Sequence, residues 1–138
     1  MFAILHWIIT PYREKIKARH EQLTKLYSPL YGLLIARLEI GNKINPDRLT
    51  LGNVREHDYL SKNAVEKLIY DNLGYASPEL ISIWAKYTTS IRNVSPEIQE
   101  QLIKTVIIDF NKLRKLLRLP YNEEEMSSGI PEIYKHLR

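Results

Sequence analysis

Histidines are the first residues to test for chemistry, and the four in this chain, His6, His20, His57 and His136, stand apart. None pairs with another at the four-residue spacing of helical zinc ligands, and no HExxH occurs. The chain of 138 residues has no cysteine, so a thiolate metal site, a cysteine nucleophile and a disulfide framework are excluded. Neither a glycine-rich phosphate loop nor a GxSxG elbow is present. The most polar cluster is Glu56-His57-Asp58. Successive side chains point in different directions, so these three need further ligands to hold a metal, and none has recognisable spacing. The reading for His57 is therefore a structural one, orienting the adjacent loop. The expectation is no enzyme, no metal and no cofactor.

Charge is the remaining lead. The formal net charge of +4 favours anionic surfaces, either lipid or nucleic acid, without choosing between them. Its distribution says more. Residues 1–10, MFAILHWIIT, are apolar apart from His6 and Thr10, and they precede Arg13, Lys15, Lys17, Arg19 and Lys25, opposed only by Glu14 and Glu21. As a helix the apolar piece is about 15 Å long, half of what a bilayer core requires. It has neither the cationic start nor the small-residue cleavage site of a signal peptide. Three roles fit it: docking into the core, lying at a membrane interface with Trp7 at headgroup depth, or forming the tail of a longer transmembrane helix. An apolar end followed by a basic helix is the pattern of a cytoplasmic juxtamembrane segment. Each cation near an anionic leaflet contributes about 1 kcal/mol. The membrane-proximal set is then Ile4, Leu5, Trp7, Ile8 and Ile9 as anchor, with Arg13, Lys15, Lys17 and Arg19 facing lipid at the cytoplasmic side.

The run PYREKIKARHEQLTKLYSPLYGLL resembles a loose group of uncharacterised bacterial and phage-borne proteins. These have an N-terminal membrane helix, a basic stretch, an LYxPLY-like element and a helical cytoplasmic domain. The resemblance implies fold and topology for the first third of the chain, and it implies no activity.

The elements that must carry these residues are helices. Ile16, His20, Leu23, Tyr27, Leu30, Leu34 and Leu38 recur at spacings of three and four, the period of one helix face. Between Leu30 and Ile35 the helix is apolar nearly all round, which requires partners on more than one side, from within the chain or from a second copy. Tyr27 and Tyr31 each bring a hydroxyl that needs a hydrogen-bond partner. The apolar face passes Pro29 without losing phase, so one kinked helix with a fixed bend is expected. Thr10-Pro11, Ser77-Pro78 and Ser95-Pro96 read as cap and first-turn proline, each opening a helix. Gly41 or Asn42 should end the central helix ahead of a loop, Gly41 to Asn53, and Gly74 should end a helix that Ser61 caps. Ile98, Leu102, Ile103, Val106, Ile107, Phe110, Leu113 and Leu117 form the longest amphipathic face, which Leu119-Pro120 closes. A short terminal helix should pack Ile133, Tyr134 and Leu137, while Glu123 to Glu125 pair with basic helices or stay solvated. Together these predict an all-α fold: a small antiparallel bundle of four to five helices, with residues 11–138 as one domain behind the segment 1–10.

A second reading places nucleic acid against the domain. Residues 62–72 and 78–92 resemble helix-turn-helix in outline. Their second helix offers Lys86 and Arg92, to which the C-terminal helix adds Lys112, Arg114, Lys115 and Arg118. The turn is longer than such motifs use, and Leu80, Ile81, Trp84 and Tyr87 are spent on burial. The favoured role is therefore a non-catalytic binding or scaffold domain at the inner face of a membrane. Its partners are anionic lipid, a protein or a second copy. A small nucleic-acid-binding regulator is the alternative.

Overall fold

A computed structural model describes residues 2–51, 62–90 and 94–138, and for residues 2–10, 62 and 63 only the backbone. All the regular structure among them is helical. It runs α1 (Phe2–Gln22), a π turn (Leu23–Tyr27), α2 (Ser28–Ile44), α3 (Lys62–Asp71), a 3₁₀ turn (Leu73–Tyr75), α4 (Pro78–Thr88), α5 (Pro96–Leu116), α6 (Glu123–Ser128) and a terminal 3₁₀ segment (Glu132–Leu137).

The first three of these form one long kinked helix, as the unbroken apolar phase requires. The kink has a specific device. Pro29 cannot donate to the carbonyl four residues back, and its ring crowds the preceding turn. The wider π turn relieves this, with the Ser28 N–H reaching the Leu23 carbonyl. Leu23, Leu26 and Tyr27 of that turn are buried, so packing holds the bend in place.

Several boundaries depart from the local signals. Pro11 lies inside α1 and opens no helix. A proline that follows helical residues removes one hydrogen bond, and at this exposed position water can serve the abandoned carbonyl. Gly41 is buried within α2, which continues to Ile44 and ends on Asn45 without a left-handed residue. Gly74 likewise sits in the 3₁₀ turn with no positive φ. The two remaining serine-proline signals hold. Ser77 Oγ accepts from the Leu80 N–H, and Ser95 Oγ accepts from the Ile98 N–H. Ser61 and the Glu56-His57-Asp58 cluster lie outside the described residues.

The core has two parts sharing α2 and α5. One gathers Leu23, Leu26, Tyr27, Leu30 and Leu34 with Val65, Ile69, Leu80, Trp84, Leu102, Val106 and Leu113. The other gathers Leu38 and Leu49 with Ile103, Ile107, Ile130 and Tyr134. This division explains why α2 is apolar on several sides: partners come from within the chain. Ile81 was expected on the buried face of α4 but is 43 % exposed, and Ile133 is 57 % exposed while Tyr134 and Ile130 pack. At three residues per turn the 3₁₀ segment aligns i with i+3 and moves i+4 off that face, so Tyr134 and Leu137 pack together while Ile133 turns outward.

Helix α5 ends before Pro120 by a turn in which the Leu119 N–H reaches the Arg114 carbonyl and Arg118 adopts φ 58°. A left-handed conformation at this position normally belongs to glycine. Arg118→Gly is expected to raise unfolding stability by about 0.5–1 kcal/mol in urea titration. A loss of stability would show that the arginine side chain contributes more there than the backbone strain costs.

Candidate functional site

Helix α1 meets the domain at its last turn. Gln22 Nε2 donates to the Tyr75 carbonyl and the Tyr75 hydroxyl donates to Glu21. Before that, residues from Pro11 to His20 are exposed, with only Ile16 and Arg19 half-covered. About 15 Å of helix therefore extends past the bundle. Arg13, Lys15 and Lys17 are exposed along it, and Tyr12 is 60 % exposed. The side chains of Ile4, Leu5, Trp7, Ile8 and Ile9 lie outside the described residues, although their backbone continues the same helix.

The direction of α5 decides where the other cations fall. Tyr27 reaches Asp109, Tyr31 stacks on Phe110 at 4.2 Å, and Leu38 packs with Ile103 and Ile107. The two helices are thus antiparallel. The C-terminal end of α5 lies beside Leu23, at the end of the bundle from which α1 projects. Lys112, Lys115 and Arg118 are exposed there. Arg114 turns inward, donating from Nε to the Pro120 carbonyl and lying 5.5 Å from the centre of the Phe110 ring.

Lys86 is elsewhere. It lines a shallow groove of about 540 Å³ between α4 and α5 with Gln101 and Lys104. Lys112 lies further along α5, roughly 12 Å past Lys104 and roughly 16 Å past Gln101 at about 1.5 Å per residue. The cations assigned to nucleic acid are therefore split between two levels of the bundle, and Arg92 lies outside the described residues. A second open groove of about 740 Å³ between α3 and α4 exposes Tyr70 and Ile81 beside Glu66, Lys67 and Asp71. Its mixed charges select no ligand class.

Two polar networks inside the bundle were not expected from the sequence. In the first, Asp109 accepts from the Tyr27 hydroxyl at 3.0 Å and from Ser77 Oγ at 2.5 Å, while the Ser77 N–H donates to the Tyr27 oxygen at 2.8 Å. Burial raises the Asp109 carboxyl above its usual range, against the hydrogen bonds that lower it. Burial also pushes the Tyr27 phenol up to about 12. In the second, Glu125 is only 5 % exposed. It accepts from Tyr31 Oη at 3.1 Å, from Asn111 Nδ2 at 3.2 Å and from the Glu132 N–H at 2.9 Å. Burial, then the neighbouring carboxylate, raises the Tyr31 phenol as well. So Glu125 neither pairs with a basic helix nor stays solvated.

These networks satisfy the tyrosine hydroxyls and tie α2, α4, α5 and the C-terminal segment together. Each Glu125 oxygen accepts from a donor of the chain. The readable signal for the second is Asn111, a polar residue one turn after Ile107 on the buried face of α5. Among the described residues, no three acidic or histidine side chains are placed to hold a metal. No helix among them is long and apolar enough to cross a membrane. No protein-family model, curated protein or solved structure matches the chain.

Proposed function

We propose that this is a non-catalytic binding or scaffold domain held at the inner face of a bacterial membrane by its N-terminal helix. The observation that carries the reading is the projecting, solvent-exposed stretch Pro11–His20. A helix costs more to form in water than alongside a core, and α1 exposes Arg13, Lys15 and Lys17 in a segment where only Ile16 and Arg19 are half-covered. Beyond it lies the apolar run of residues 1–10, whose composition suits the acyl boundary while the cations suit anionic headgroups. The resemblance of residues 11–34 to proteins of that topology points the same way. Placing Lys86 at a different level from Lys112 and Lys115 weakens the nucleic-acid alternative, which needs one continuous basic surface.

Flotation with anionic liposomes tests the reading. The full chain is expected in the lipid fraction, and the chain lacking residues 1–10 is expected to stay behind. Equal recovery of both in the soluble fraction would overturn it. A mobility shift with duplex DNA that weakens steeply with salt would favour the alternative.

A further inference from the structure

The far end of α5 carries an exposed apolar side chain inside a ring of cations. Leu116 is 54 % exposed and Tyr121 is 38 % exposed. Lys112, Lys115 and Leu116 follow the i, i+3, i+4 spacing that puts them on one helix face. The chain then turns back at Arg118, so that Lys115 Nζ lies 5.7 Å from the centre of the Tyr121 ring. All these residues sit at the end of the bundle from which α1 leaves. Glu123 to Glu125 start α6 at the level of Asn111, where Glu123, Glu124 and Glu132 line one shallow depression with Tyr121, and α6 then runs towards Lys104. Arg138 pairs with Glu124 and Glu132 and Glu125 is buried, so Glu123 is the exposed acid beside Tyr121, set against Lys112, Lys115 and Arg118.

We infer that this end of the bundle is a second membrane contact, in which Leu116 and Tyr121 enter the headgroup layer of an anionic bilayer while Lys112, Lys115 and Arg118 bind its phosphates. The inference rests on the membrane reading of α1 and extends it from one attachment point to two. The chemistry is that of an interfacial site: amphipathic tips at the boundary, flanked by side chains long enough to keep their charge in the polar layer. Charge complementarity selects the occupant. A second copy would bring the same cations against these, and an uncharged partner would leave them unused. Because α1 continues into the π turn, whose Leu23 shares a core with Leu113 of α5, binding at one raises the effective concentration of the other at the same surface. This contact would fix the orientation of the domain, with the Lys86 end of the α4–α5 groove held away from lipid.

The absence of cysteine permits single-site labelling of the full chain. An environment-sensitive fluorophore is placed at Leu116→Cys and, as a control, at Ile44→Cys, which is 80 % exposed at the opposite end. With phosphatidylserine-rich vesicles the Leu116 probe is expected to brighten and shift to the blue, and the Ile44 probe to stay unchanged. Neither should respond to neutral phosphatidylcholine. Lys112→Gln with Lys115→Gln is expected to weaken vesicle binding by roughly thirtyfold. If the chain co-sediments with anionic vesicles while the Leu116 probe is silent, the second contact is wrong and attachment runs through α1 alone. If the chain does not co-sediment at all, the membrane reading falls together with it.

Discussion

Glu125→Ala is expected to lower the unfolding free energy by about 3–4 kcal/mol, one of the two largest losses the structure foresees for a single substitution. Alanine removes the acceptor of three donors at once: the Tyr31 hydroxyl, the Asn111 amide and the Glu132 N–H. A buried donor left without a partner costs about 1–3 kcal/mol, and only part of this can be recovered if water enters. Glutamine should recover some of the loss, because one oxygen remains, but its amide group then faces another donor. Replacing Glu125 and Asn111 together by leucine should cost less than the sum of the single changes, since apolar partners leave fewer donors stranded. Urea titration measures the loss. Hydrogen exchange at the Glu132 amide reports whether the C-terminal segment has come away. A change below 1 kcal/mol for Glu125→Ala, with that amide still protected, would show that the network is not what holds the segment.

Gly129→Ala is expected to be nearly as damaging, at about 2–4 kcal/mol. Gly129 closes α6 with φ 71°, a left-handed conformation that costs a side-chain-bearing residue roughly 1 kcal/mol or more. The added Cβ would also stand 2.7 Å from Lys104 Cβ and 3.0 Å from Lys104 Cα. The second of these is backbone, so the clash cannot be relieved by turning a flexible side chain and must separate α6 from α5. The control is Gly32→Ala. Nothing lies within 4 Å of a Cβ there, and the position is an exposed one inside α2. Alanine should stabilise that helix by about 0.5–1 kcal/mol. Thermal or urea unfolding of the pair separates a general effect of glycine replacement from the close approach at Lys104. Equal outcomes for the two would mean that the α5–α6 contact is looser than these distances describe.

The features legible in the sequence are those that one helix sets for itself. The stripe expected from Ile16 to Leu38 is buried from Leu23 onward, while Ile16 is half-covered and His20 exposed, and the α5 stripe is buried at Leu102, Ile103, Val106, Ile107 and Leu113 with Ile98, Phe110 and Leu117 half-buried. The caps at Ser77 and Ser95 depend on a serine oxygen and the N–H three residues on, so they are local too. The same local rules misplace the start at Pro11 and the ends at Gly41 and Gly74. A proline or glycine removes or permits a conformation without compelling one, and the helix continues where interruption gains nothing. Ile81 and Ile133 were misassigned because apolar identity permits burial without assuring it.

The sequence by itself determined that the fold is a helical one, that its central helix bends at Pro29, and that a basic stretch follows an apolar one at the N-terminus. These follow from the order of neighbours along the chain, through side-chain spacing and backbone stereochemistry. Only the tertiary structure decided which faces of α2 and α5 meet and in what register, which sets Lys112, Lys115 and Leu116 beside the base of α1 and Lys86 at another level. It alone joined Glu125 to Tyr31, 94 residues away in sequence. The register of packing and the pairing of buried polar groups arise from surfaces meeting across the core, and no local period encodes which surfaces meet.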